Sequence, residues 1–272
     1  MKRIFAIILS TVLLLGALAA CGTVTSFGEV RDGYGSAYEL SDDGTVFLRY
    51  DSENSTSPIL VIPDGVTSVA KDAFAEAEGL TEIIFPESLK TVDFSFSEMI
   101  DIERVVIPAW IENFSLETCQ FSGCYSLQSV TILCPVKETR IPDACFASCE
   151  SLASVLLPDS VVSVGRESFY GCTSLSLVGY ASQRDVKYYD SGLESAAQGC
   201  PVVYIAEGFR EIYNYSSFDW CRYLWIPSTV EQFDPRCDGG SMSGRAVISV
   251  AEETTVLPYS EAEGNRCTVK ER

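Results

Sequence analysis

Phe146-Ala147-Ser148-Cys149-Glu150-Ser151-Leu152-Ala153-Ser154-Val155-Leu156-Leu157-Pro158 is the stretch whose reading decides the fold. Phe146, Cys149, Leu152, Val155 and Pro158 stand three residues apart, and the same template returns 23 residues on as Phe169, Cys172, Leu175 and Val178. Phe121, Cys124, Leu127 and Val130 make another copy, and Phe74, Ala77, Leu80, Ile83 and Pro86 one more, with alanine in the cysteine slot. A fixed period in the twenties marks a stack of coils, each burying its apolar face against the next. The unit consists of packing positions and carries no chemistry of its own.

A second half-motif follows the proline. Ile62-Pro63-Asp64-Gly65-Val66-Thr67-Ser68-Val69 is echoed from Phe85, from Leu157 and from Ile226, with degenerate copies from Ile107 and Ile205 and a last one in Val250 to Val256. Each coil therefore needs a strand with alternate residues inward, a proline that ends it because it lacks an N–H for the ladder, and a turn that sends the chain back. The Phe and Cys slots belong to a short helical or irregular return. The expected fold is mainly β, a solenoid of about eight or nine coils over residues 57–256.

This unit, A-F-x-x-C-x-x-L-x-x-V-x-I-P-x-x-V-x-x-I, resembles the BspA-like leucine-rich repeat of bacterial and protist surface proteins. Asp72-Ala73-Phe74, Gly123-Cys124, Gly171-Cys172 and the Ile-Pro turns carry the match; Met99 and Phe218 in the cysteine slot, Cys221 in the leucine slot, and Ala181 and Ala206 in place of proline depart from it. The departures blur the register between residues 179 and 225. The resemblance implies a right-handed solenoid, secreted or surface-anchored, with roles in adhesion and host-protein binding and no chemistry common to the family.

The ends of the chain read differently. Lys2 and Arg3 precede the apolar run Ile4 to Leu15, and Leu18-Ala19-Ala20-Cys21 resembles the bacterial lipobox, in which the cysteine takes a diacylglyceryl group and the signal peptide is cut before it. Residues 1–20 are thus expected as a lipoprotein signal peptide, Cys21 as the lipidated residue, and 21–36, with its glycines and serines, as a flexible tether. Residues 37–56 read as a capping hairpin turning at Asp43-Gly44, and 257–272 as a C-terminal cap or tail. Asp42-Asp43-Gly44 lacks the downstream ligands of a calcium loop and reads as a turn. The body is then extracytoplasmic, lipid-anchored to a bacterial membrane, and at the cell surface if the envelope is Gram-positive.

Loss of Lys2 and Arg3 with the leader takes the formal charge from −19 to −21. Such a body repels phosphate backbones and anionic lipid, so nucleic acid is excluded as a partner and membrane contact rests on the lipid anchor. The chain has no histidine, which removes Ser-His-Asp and Cys-His arrangements and the mixed Cys/His zinc sets. Neighbouring acids on turns do not face each other across a sugar, and no phosphate loop is present. No enzyme, cofactor or metal is expected. Of the eleven cysteines, Cys124, Cys149 and Cys172 recur at one packing slot, with Cys119 and Cys145 beside it, whereas Cys134, Cys200, Cys221, Cys237 and Cys267 are the better candidates for any bridge.

In a strand ending L-x-x-V-x-I-P, the residues on either side of V point away from the core. Read coil by coil, these positions bring Leu156, Leu177, Val202, Tyr204, Tyr223 and Trp225 side by side on the outer face of the later coils. Apolar area that core packing does not require, with Tyr and Trp in it, marks an interaction site. The competing reading is that residues 182–200 or the tail after 257 fold over it. The expected function is that of a non-enzymatic cell-surface lipoprotein binding an extracellular protein or glycan, as adhesin or scaffold. The alternative is a ligand-binding lipoprotein for nutrient or carbohydrate capture.

Overall fold

The computed structural model describes residues 23–25, 29–182, 202–212, 221, 223–233, 247–250, 255–256 and 268–271. Residues 1–20, expected as a signal peptide, and Cys21 lie outside them, as do Cys200, Cys237 and Cys267. An antiparallel cap comes first: β1 (Thr23–Thr25), β2 (Glu29–Arg31), β3 (Ala37–Leu40) and β4 (Val46–Asp51). The β3–β4 hairpin turns at Asp43-Gly44, where Asp43 Oδ1 accepts from Ser41 Oγ at 2.6 Å, Thr45 Oγ1 at 2.8 Å and Thr45 N at 3.1 Å. These bonds, the one from Ser41 foremost, hold the carboxyl down to about 2. The expected turn is therefore built on the acid itself. From Glu29 onward the stretch expected as a tether is instead paired into this cap, and Asp32 and Ser36 are buried.

The body is a β-solenoid. Ten parallel strands form its main wall: β5 (Ile59–Val61), β7 (Glu82–Ile84), β9 (Arg104–Ile107), β11 (Ser129–Ile132), β13 (Ser154–Leu157), β15 (Leu177–Tyr180), β16 (Val202–Ile205), β18 (Tyr223–Trp225), β20 (Val247–Val250) and β22 (Thr268–Glu271). The last of these extends the stack into the stretch read as a cap or tail. A second wall of two-residue strands follows the proline positions, two of which hold Ala206 and Ala251 instead: β6 (Ser68–Val69), β8 (Thr91–Val92), β10 (Asn113–Phe114), β12 (Arg140–Ile141), β14 (Ser163–Val164), β17 (Glu211–Ile212), β19 (Gln232–Phe233) and β21 (Thr255–Val256). The proline carbonyl makes each corner, accepting the N–H three residues on: Pro63 from Val66, Pro108 from Ile111, Pro158 from Val161 and Pro227 from Val230. That valine or isoleucine is buried every time, so I-P-x-x-V is a turn and its inward anchor.

The returns contain turns and, among the described residues, no helix. They stack by backbone bonds of their own, Phe121 N to Cys145 O at 2.9 Å and Phe146 N to Ser168 O at 2.8 Å. The second residue after the phenylalanine takes a positive φ in successive coils, Glu98 at 64°, Gly123 at 76°, Ser148 at 61° and Gly171 at 75°. Glycine suits that slot, which accounts for the recurring Gly-Cys pair.

Between the walls runs one core. Its spine is a column of rings, Phe47, Phe74, Phe94, Phe96, Phe121, Phe146 and Phe169, with successive centroids 4.8–5.5 Å apart. The cap contributes the first ring. Beside the spine the cysteine slot is fully buried, and its thiol has a bonding role that packing alone does not predict. Cys124 Sγ donates to Phe96 O at 2.9 Å, Cys149 to Phe121 O at 3.0 Å and Cys172 to Phe146 O at 2.9 Å. Each thiol thus adds a second bond to the carbonyl of the preceding coil's phenylalanine, which already accepts the N–H of Met99, Cys124 or Cys149 three residues on. The alanine of the early coil, Ala77, fills the volume without the donor.

Burial pushes the Cys119 thiol up to about 12 and that of Cys134 up to about 11. Burial likewise raises Cys145 and Cys172, so these enclosed thiols stay protonated. Of the cysteines expected as bridge candidates, Cys134 is free and buried, and Cys221 is buried as well. Cys134 closes β11 at the core, and Cys221 Sγ donates to Tyr223 O at 2.7 Å.

Candidate binding face

The outer face of the main wall follows from the strand pleat. In β11, β13 and β16 burial alternates, with Val130, Ile132, Val155, Leu157, Val203 and Ile205 inward and the residues between them half-buried on the other side. Parallel register carries each outward column from coil to coil. Ser129 stands beside Ser154, and Thr131 beside Leu156; towards the cap, Glu82 stands beside Arg104. At that end the outward column through Glu82, Arg104, Ser129 and Ser154 is polar, while the one beside it, through Val61, Ile84, Val106, Thr131 and Leu156, is mostly apolar; Tyr204, Tyr223 and Trp225 add the aromatic groups beyond β13.

Register changes between β15 and β16. Matching template slots sets Val178 beside Val203, but the structure pairs Val178 with Ile205 and Leu177 with Tyr204, a slip of two residues. A two-residue slip keeps every side chain on its own face, because the pleat has that period. The outward row is thus preserved with different neighbours: Leu156 beside Gly179, Leu177 beside Tyr204, and Tyr204 beside Trp225. Val202 pairs with Tyr223 and stands opposite no residue of β15.

Gly179 is the pivot of the row. A Cβ there would lie 3.4 Å from Leu177 Cδ1, 3.5 Å from Ala206 Cβ and 3.8 Å from Leu156 Cδ2, so the leucines and Ala206 close over the missing side chain. Leu177 is only 3% exposed, and all four residues of β15 are buried. The sequence reading, which set Leu177 on an open surface, is corrected at this position. Leu156, Val202, Tyr204, Tyr223 and Trp225 are half-buried. Tyr204 and Trp225 stack with centroids 6.1 Å apart and planes 28° from parallel. Tyr180, at the end of β15, turns inward and stacks on Phe209 at 4.9 Å. Of residues 182–200, weighed as a cover for this face, 183–200 lie outside the described residues.

Such a face can bind by area and shape. No group of three or more Cys, Asp or Glu among the described residues is arranged to hold a metal ion, and no helix among them is long and apolar enough to cross a membrane.

Comparison with known proteins gives a consistent picture of the repeat. The family model for the BspA type leucine rich repeat region matches residues 50–176 and 139–237, with six copies. No curated protein matches the chain. Among solved structures, it is similar to a leucine-rich repeat protein from Eubacterium ventriosum, at 20% identity and a TM-score of 0.43, covering 56% of this chain and 39% of that one. A leucine rich cell surface protein from Faecalibacterium prausnitzii matches at 21% identity and a TM-score of 0.36, covering 78% and 59%. A leucine-rich repeat protein from Bacteroides ovatus matches at 20% identity and a TM-score of 0.37, covering 86% and 64%. The chain spans less than two thirds of the length of each of these proteins.

Proposed function

Because this chain belongs to the BspA-type leucine-rich repeat family, whose repeating unit here consists of core and turn positions, we propose that it works without chemistry, as an extracytoplasmic adhesin or interaction scaffold that binds a protein or glycan on the outer face of its main wall. The observation that supports this reading is the set of half-buried residues Leu156, Tyr204 and Trp225, with Val202 and Tyr223 beside them, on the side of the sheet away from the core. Aromatic anchors carry a large part of interface energy. A screen of residues 36–272 against extracellular-matrix proteins, mucins and glycans supplies the partner. Changing Tyr223 and Trp225 to serine is expected to weaken binding at least tenfold, about 1.4 kcal/mol. The half-buried positions should lower stability by no more than about 1 kcal/mol, about 2–4 °C in melting temperature. Unchanged affinity in the folded variant rules out this face.

Attachment to a membrane is the second part of the proposal. It rests on Leu18-Ala19-Ala20-Cys21 at the end of an apolar run that begins after Lys2 and Arg3. Metabolic labelling with a fatty acid in a bacterial host should mark the wild type and leave Cys21→Ala unlabelled. Equal label in both removes the anchor from the proposal.

A further inference from the structure

At the cap end, the outermost strand of the main wall is β5, which pairs only with β7. N–H and C=O groups of alternate residues in a strand point to the same side. Ile62 N reaches Ile84 O at 3.0 Å on the β7 side, so Ile59 and Val61 turn their polar groups to the open side. A row of unpaired groups there is a template for another strand.

Side chains fill this row. Val61 N donates to Asp32 Oδ2 at 3.0 Å and Ile59 N to Ser57 Oγ at 3.1 Å. Ile59 O accepts from Ser36 Oγ at 2.7 Å and from Ser57 Oγ at 3.1 Å. The other oxygen of Asp32 accepts from Tyr34 N at 2.9 Å and Ser36 N at 2.8 Å. Asp32 is 7% exposed and Ser36 fully buried. Burying a carboxylate is costly unless donors surround it, and here three backbone N–H groups do. The turn that aims it is tight: Gly35, at a φ of 100°, donates its N–H to Asp32 O at 3.2 Å.

We infer that Asp32, with Ser36 and Ser57, is a plug of side chains on the free edge of the wall, which keeps a second copy of this chain from adding its own β5 there. Two such edges are identical and self-complementary, so unplugged copies pair about a twofold axis through backbone bonds alone. A plug made of side chains occupies the Ile59 N–H and C=O and the Val61 N–H without adding another strand, which removes the donors a second strand would need.

The test compares the full-length wild type, Asp32→Ala and Ser57→Ala by hydrogen exchange at the Val61 and Ile59 amides and by light scattering after size exclusion, over a range of concentrations. Asp32→Ala is expected to speed exchange at Val61 at least about tenfold, the effect of losing a hydrogen bond to a charged group. It should also form a discrete, concentration-dependent dimer that the wild type does not. Ser57→Ala, with Asp32 in place, should speed exchange at the Ile59 amide, which its hydroxyl accepts, and form the same dimer more weakly; it decides on those two readouts if Asp32→Ala fails to fold. Unchanged exchange at Val61 in Asp32→Ala and at Ile59 in Ser57→Ala overturns the plug. Faster exchange with the mass of a monomer at every concentration overturns its guarding role, as does a wild type already paired through β5.

Discussion

Phe146→Ala is expected to destabilise the chain by about 3–5 kcal/mol, the range for deleting a fully buried ring. Phe146 lies in the spine between Phe121, 5.1 Å away with planes at 10°, and Phe169, 5.3 Å away at 6°. Truncation opens a cavity and removes two ring contacts at once. The neighbouring coils have little freedom to collapse into the gap, because Phe121 N to Cys145 O and Phe146 N to Ser168 O tie the returns together. In a stack, stability is a sum of units and nearest-neighbour interfaces, so this site weakens two interfaces. Equilibrium urea unfolding of wild type, Phe146→Ala and Phe146→Leu gives the comparison, with leucine recovering much of the loss because volume is restored. A loss below about 1 kcal/mol for the alanine variant would mean that the ring column is not the core.

Gly165→Ala should cost about 1–3 kcal/mol, for the opposite reason. A Cβ at Gly165 would lie 2.5 Å from Ile141 O, 2.6 Å from Asp143 Oδ1 and 2.9 Å from Asp143 N. Two of those three atoms are backbone and cannot swing aside. The backbone of Gly165 does not occupy the left-handed region, so alanine is allowed in conformation and the effect is steric. Relief requires the coil to move away, which lengthens Gly165 N to Ile141 O, now 2.9 Å, and Arg166 N to Asp143 Oδ1, now 2.8 Å. Ser168, buried and donating to both Gly165 O and Pro142 O, is strained with them. Urea unfolding measures this as well. A change within about 0.5 kcal/mol would show that the coils part freely at this point.

Much of this architecture is legible in residue spacing, because a coil buries the same slots at each turn. Phe146, Cys149, Leu152 and Val155 are all fully buried, as their template positions require. The Asp43-Gly44 turn and the proline corners are equally local: each needs only the residues beside it. The outward columns at Leu156, Tyr204 and Trp225 follow from the pleat, and they stay on their face even where register slips.

What spacing did not determine lies between residues distant in the chain. From β15 to β16 the connection is too long for residue count to set pairing, and the slip that puts Leu177 beside Tyr204 is accompanied by close packing of Leu177 and Ala206 over Gly179. Burial of Leu177 goes with that packing, for a position can be outward by its pleat and still be covered. Asp32 reads as part of a polar, glycine-rich stretch until the fold brings Val61 N to it across 29 residues of sequence. The thiol-to-carbonyl bonds from Cys124, Cys149 and Cys172 likewise depend on the height of one coil above another. By itself the sequence determined the coil, its buried slots and its turns, since these depend on near neighbours and recur. The tertiary structure alone decided which coil edges are closed, which outward residues are covered and where register slips, because those depend on contacts between coils that no local spacing encodes.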